Sequence, residues 1–283
     1  MGFVTATTDR VTIRNFAEVG SRIGAITASG FRRFSTYRQA TVAGLVTNIM
    51  FGFLRCYVLL AVAAVSPKVA GYDAAQLVGY VWAGQGLLGV VMLWGWTDLS
   101  DRIRSGDVVT DLLRPIHPVV SYLAADMGRA GHAMIFRFFP AMAVGAMFFD
   151  IYLPHEAISY PLFLVSTVLA VMICFFCRYL VNATAFWLLD IRGVNLAWLI
   201  MSGLMGGLYF PIRFLPDWIA ALLWFCTPGP SLFQAPMDIL VERDAVPIRF
   251  GIVGVQIIWA LLLWWACHAV QRRAERKMVI QGG

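Results

Sequence analysis

The stretch Pro161 to Trp187, PLFLVSTVLAVMICFFCRYLVNATAFW, carries one charged residue, Arg178, and decides the fold class. A helix needs about 20 consecutive, mostly apolar residues to cross the hydrocarbon core of a bilayer, and this run has them. Four more runs of the same kind lie at 41–65, 78–99, 131–149 and 248–268. The whole chain agrees: 60% of its 283 residues are hydrophobic and 13% are charged, against about 45–50% and ~25% in soluble domains.

A sixth apolar region, 194–233, is interrupted by Pro211, Pro216, Pro228 and Pro230. Proline removes a backbone donor and breaks a helix interior. The region therefore predicts one helix over 194–210, then a re-entrant helical hairpin over 211–233 that carries Trp218. Non-helical backbone at membrane depth is tolerated only where protein or water satisfies its polar groups, which places the hairpin in a protein interior or at the mouth of a pathway. The expected fold is all-α: a polytopic membrane protein with six transmembrane helices. Residues 1–39 form an interfacial segment, 40–270 the membrane domain and 271–283 a basic tail.

Lys and Arg are retained on the cytoplasmic side of short loops. Arg10, Arg14, Arg22, Arg32, Arg33 and Arg38 precede the first run, and Arg272, Arg273, Arg276 and Lys277 follow the last. Both termini are therefore expected in the cytoplasm of a bacterial inner membrane. The loops that fall outside carry Asp73, Asp150, Glu156, Asp217, Asp238, Glu242 and Asp244 against Lys68, Arg213, Arg243 and Arg249. The net charge of +6 is thus a topology signal, and no nucleic-acid partner is expected.

The first forty residues are polar and Arg-rich, without the apolar core of a cleavable leader. Phe16, Val19, Ile23 and Ile26 recur at helical spacing, so this segment either lies among lipid headgroups with its arginines on anionic phosphates or packs on the protein's own cytoplasmic face. The five cysteines, Cys56, Cys174, Cys177, Cys226 and Cys267, all lie in apolar segments. Cys174 and Cys177 have redox or zinc spacing, but without a second pair they read as apolar packing. His117, His132, His155 and His268 are scattered and form no metal motif. The two lysines, Lys68 and Lys277, stand in no Gly-Lys-Ser/Thr sequence, so ATP used by this protein must be bound on another chain.

Ionisable residues within the apolar runs are functional candidates by default. Arg55, Arg137 and Arg178 qualify, either facing a hydrated cavity or satisfied by backbone carbonyls. The acidic residues fall outside or at the edges of the runs, which argues against an ion-coupled carrier. Asn48 and Gln85 read as hydrogen-bonding glue between the first two helices. The loop 98–118 is the most distinctive polar element: Leu99, Ile103, Val108, Leu112 and Leu113 form one face and Asp101, Arg102, Arg104, Asp107 and Asp111 the other. Two short helices around Gly106, stopped by Pro115, fit this pattern, and they either dock on a soluble partner or rest on the bilayer.

Three stretches resemble the ABC-2 type permeases, specifically the six-helix bacterial group of ABC-2 family transporter proteins: Leu112-Leu-Arg-Pro-Ile-His-Pro118, Ala185-Phe-Trp-Leu-Leu-Asp-Ile-Arg-Gly-Val194, and Ser202-Gly together with Phe210-Pro-Ile-Arg-Phe-Leu-Pro-Asp-Trp218 and Pro228 beyond. With the hydropathy profile, the resemblance covers about 37–268. It implies the membrane subunit of an exporter: two permease chains, identical or related, and two copies of a cytoplasmic ATPase that binds ATP and Mg, with no cofactor on this chain. It implies that 98–118 is the coupling loop to the ATPase and that a hairpin precedes the last helix. Trp82, Trp94, Trp96, Phe186 and Trp187 are then candidates to line the pathway, although tryptophans also form interfacial belts. The alternatives are an ATP-independent secondary carrier or a non-transport assembly factor.

Overall fold

The computed structural model describes residues 3–64, 68–188 and 190–281, with side chains placed from residue 18 onward, except at 112 and 277–281. Arg10, Arg14, Phe16, the Leu112 side chain, Val65 and Lys277 lie outside the described residues or side chains. Among those described there is no strand; Val69 and Tyr72 form an isolated bridge.

The chain begins with α1 (Phe3–Thr36) and α2 (Arg38–Ala63). Next come α3 (Ala74–Val91) and the short pair α4 (Asp98–Ser105) and α5 (Val108–Leu112). α6 (Pro118–Ala133) runs through a π-helical turn, Met134–Phe138, into α7 (Phe139–Phe148). α8 (Ser159–Ala183), α9 (Arg192–Met205), α10 (Asp217–Cys226), α11 (Gln234–Leu240) and α12 (Val246–Gln281) complete the molecule. Among the described residues, five helical segments are long and apolar enough to cross a membrane: Arg38–Ala63, Ala74–Val91, Pro118–Phe148, Ser159–Phe186 and Val246–Arg276.

α3 is the hub. It is apolar all round and buried along nearly its whole length, as a helix at the centre of a bundle must be. Asp73 caps it, accepting from the Gln76 amide at 2.8 Å while the Gln76 side chain accepts from the Asp73 amide at 3.0 Å, which satisfies two orphan donors of the first turn. Its Trp82 fits where Gly52 of α2 and Gly145 of α7 leave room, since a Cβ at Gly145 would lie 2.5 Å from the indole. α2 instead exposes Val46, Met50, Phe51, Leu54 and Val58, a large apolar face of the kind lipid or another helix covers.

Several boundaries differ from expectation. The second helix, expected to reach 99, stops at Val91, because Met92 (φ 44°) and Gly95 (φ 82°) turn the backbone out of helix. The third, expected from 131, starts at Pro118: Asp126, Arg129 and His132 sit buried on it, and their polarity hid the helix from a hydropathy reading. The fifth, expected over 194–210, is α9 alone, 14 residues ending at Met205 and capped by Gly206. Gly207 (φ 77°) follows, where a Cβ would meet Gln234 Oε1 at 2.4 Å. The basic tail is the continuation of α12.

The N-terminal helix packs on the protein. At Gly30 a Cβ would lie 2.2 Å from the Ala125 carbonyl oxygen, and at Gly128 one would lie 1.9 Å from that of Thr27. α1 and α6 thus meet backbone to backbone, in the small-residue manner that lets helices approach closely. Phe31 adds an edge contact to the His132 ring at 5.3 Å.

Candidate functional site

The loop between α3 and α6 folds as two short helices whose ends the sequence specifies. Asp98 and Asp101 occupy the first turn of α4 and Arg102 and Arg104 its last, the charge order that complements a helix dipole. Gly106, at φ 83°, closes it in the left-handed conformation that glycine adopts without cost. Leu99 and Val108 then turn inward onto a cluster with Val119, Phe175, Phe176, Tyr179 and Cys267. The element is thereby seated on the start of α6, the last turns of α8 and the middle of α12.

A polar clamp holds the two helices together. Arg102 donates to Asp111 through Nε (2.7 Å) and Nη2 (3.0 Å), and Nη2 also reaches the Asp107 carbonyl (3.0 Å) and Thr110 Oγ1 (2.7 Å). Tyr122 of α6 donates to the same Asp111 carboxylate at 2.7 Å. The Asp111 hydrogen bond raises the Arg102 pKa further above its ordinary value. Arg102 and Asp111 therefore build the element from within. Asp101, Arg104 and Asp107 remain exposed, with Asp101 accepting from Thr97 Oγ1 (2.8 Å) and Arg104 lying 3.6 Å from Asp190. Val109 and Leu113 stand beside them, Leu113 at 81% exposure. Arg33 of α1 reaches Asp98 at 3.3 Å, tying the N-terminal helix to the element.

The pathway candidates are placed as follows. Arg55 donates to the Leu208 carbonyl, and with the Gln85 amide turned to satisfy both its ends, Gln85 accepts from Arg55 at 2.9 Å and donates to the Asn48 carbonyl at 3.1 Å. Asn48 in turn donates to the Gln85 carbonyl at 2.9 Å, so this pair joins α2 to α3. Trp82 is fully buried among Phe53 and Phe149. Arg137 lies in the π-helical turn against Gly44 and Gly89. Trp187 is half-exposed beside Phe186. Arg178 is buried and bonds Asp126 at 2.7 Å. Of the proline-rich segment, Pro211 precedes a 3-10 turn (Ile212–Phe214), Pro216 precedes α10, and Pro228 opens a second 3-10 turn (Gly229–Ser231). Trp218 on α10 is 70% exposed.

Residues 46–282 match the family model of the ABC-2 family transporter proteins. The chain is an ABC-2 family transporter protein. No match is found among curated proteins. Membership makes it a multi-pass permease component of an ABC-type transporter, a family that implies association with an ABC ATPase. The match begins inside α2, so α1 precedes it.

Hydropathy missed the polar interior of this permease. Asp126 is 7% exposed and is gripped by Arg129 Nε (2.6 Å) and Arg178 Nη2 (2.7 Å), while Arg129 places its remaining nitrogens on the Gly89 and Val90 carbonyls at 2.8 Å each. Asp238, expected in an outer loop, is fully buried on α11, accepting from Tyr72 at 2.5 Å and from Gln234 at 2.8 Å. The expectation that acidic residues avoid the interior is therefore wrong. The signal available was Arg178 itself, since burying a charge is costly unless it is paired and hydrogen-bonded.

Proposed function

We propose that this permease is the membrane half of an ATP-driven exporter in a bacterial inner membrane, paired with a second permease chain and powered by two ATPase subunits that hold ATP and Mg. The α4–α5 element is the contact with the ATPase. The observation that carries this is its construction: a rigid body, clamped by Arg102 and Asp111, seated on three long helices, that still presents Asp101, Arg104, Asp107, Val109 and Leu113 outward. A motion imposed there reaches α6, α8 and α12 together, as coupling between sites requires a packed body with two arrangements.

In this reading the chain crosses six times with both termini in the cytoplasm. α9 is too short to span alone at about 1.5 Å per residue, and the irregular backbone after it, 206–210, completes the fifth crossing before the re-entrant hairpin 211–233. Support comes from Arg55 and Gln234, whose bonds to the Leu208 carbonyl and the Ile212 amide satisfy irregular backbone there. Asp126 does not favour an ion-coupled carrier, because two arginines already neutralise it.

The test is purification of a tagged chain with its native neighbours in mild detergent. A co-purifying ATPase that the double reversal Asp101→Arg, Arg104→Glu releases, with the permease still folded, is the expected result. A stable permease with no ATPase partner overturns the proposal.

A further inference from the structure

The connector 93–97, where the second helix was expected to continue, walls a cavity of about 260 Å³ against α8 and α9. Trp94, Trp96 and Trp198 supply its aromatic sides, and Arg178, Asn182 and Asn195 its polar groups. No Asp or Glu is among its lining residues. Its volume falls just under the roughly 300–1,000 Å³ of sites for drug-sized ligands, which suits a headgroup or a small organic ion.

The charge balance at its wall is incomplete. Asp126 is shared by Arg129 and Arg178, so three buried charges leave one positive charge over. Arg129 has all its nitrogens placed, as described above. Arg178, 2% exposed, gives Nη2 to Asp126 and lies beside the Cys174 thiol; among the described residues its buried Nε and Nη1 meet no oxygen or nitrogen acceptor. The Arg178 guanidinium lies over the Trp96 ring, 5.8 Å from its centroid, and Cys174 one turn earlier directs its thiol to the Met92 carbonyl at 3.6 Å. Buried charged donors are rarely left unmet in a native protein. Asn182 is committed, donating to the Trp96 carbonyl at 3.0 Å and the Arg178 carbonyl at 2.9 Å and accepting from the Ser100 amide at 3.3 Å. The half-buried Asn195 side chain makes no hydrogen bond among the described residues. At the rim, Trp94 and Leu196 are 47% and 58% exposed, so the cavity opens past apolar groups.

We propose that this cavity binds an amphiphile by its single anionic headgroup, a phosphate or carboxylate, with Arg178 as charge partner, Asn195 as a second donor and the apolar body leaving past Trp94 and Leu196. The ligand is either a membrane lipid or an acidic amphiphile from solution. The inference stands apart from the exporter reading, because binding is measured without ATP or a partner subunit.

Native mass spectrometry of the full chain in detergent tests it, with phosphatidylglycerol, phosphatidylcholine, dodecyl phosphate and inorganic phosphate as probes. Phosphatidylglycerol or dodecyl phosphate is expected to bind one per chain and about tenfold more tightly than phosphatidylcholine, the tenfold being what a modest charge–charge preference supplies. Phosphatidylglycerol binding identifies a lipid; dodecyl phosphate binding without it identifies a soluble amphiphile. Arg178→Gln should abolish binding, but it also disturbs a buried ion pair. Asn195→Asp breaks no hydrogen bond and sets a like charge against the ligand, so it should weaken binding by about tenfold. Equal binding of phosphatidylcholine, or an unchanged Asn195→Asp affinity, would overturn the site; inorganic phosphate binding as tightly as dodecyl phosphate would overturn the amphiphile.

Discussion

Two carboxylates show what individual residues do. Asp126 stands between Arg129 and Arg178, all three buried, so Asp126→Asn leaves two cations facing each other without their counter-charge. Removing one partner of a buried ion pair costs about 3–5 kcal/mol, and thermal unfolding in detergent should register a loss of that order, whereas Asp107→Asn on the exposed loop should change stability little. Glu242 joins the segment before α8 to that before α12. It accepts from Ser159 Oγ (2.5 Å), the His155 and Glu156 amides (3.0 and 2.9 Å) and Tyr152 (2.8 Å). Burial pushes its carboxyl up, but these donors outweigh burial and hold it at about 2. The folded pKa is thus below the unfolded one, near 4.5. The stabilisation is therefore complete above about 4.5 and is lost as pH falls towards 2. Unfolding followed from pH 6 to 3 should show declining stability in the wild type and a flatter profile in Glu242→Gln, which is also less stable at pH 7 by about 1–3 kcal/mol.

Elements meet where the smallest residues stand. α1 rests on α6 only because Gly30 and Gly128 admit the opposing carbonyls, so Gly128→Leu should detach α1. The check is limited proteolysis near Tyr37, expected to speed up in the variant while α6 stays protected; equal rates would mean that the crossing tolerates a side chain. The α4–α5 clamp is similar in kind: Arg102→Gln removes the bonds to Asp111 and should reduce ATP-dependent activity of an assembled complex more than it reduces ATPase binding, which is read on Asp101 and Arg104. Long apolar runs made α2, α8 and α12 legible in the sequence, since lipid-length hydrophobicity is a local property. The start of α6 was not legible, because Asp126 and Arg129 look exposed until their partners, 52 residues away in the case of Arg178, are brought beside them. The end of α3 was missed for the opposite reason: Leu93, Trp94 and Trp96 read as membrane, while the left-handed turns at Met92 and Gly95 are backbone choices that hydropathy does not see.

At the scale of the molecule, the polar residues follow two separate patterns. Tyr72, Tyr80, Gln234, Asp238 and Glu242 knit α3, α8 and α11 at one end. Asp126, Arg129, Arg178 and Asp111 tie α6 to α3, α8 and α5 at the end that carries the α4–α5 element. The resemblance to ABC-2 permeases rested on short motifs around that element and the prolines, and the family match over 46–282 confirms it. The five candidate sites on loop 98–118 divide in the structure into a clamp and an outward face, a division that spacing alone did not carry because Arg102 and Arg104 look equivalent on paper. The most direct test places a cysteine at Leu113, the most exposed apolar residue of that face, and another at Asp217 on α10, in membranes that contain the native ATPase. A short cross-linker should join Leu113→Cys to the ATPase, in a yield that changes with ATP, and leave Asp217→Cys unjoined. Cross-linking from Asp217→Cys but not from Leu113→Cys would contradict the coupling role of α4–α5 and the orientation on which it depends.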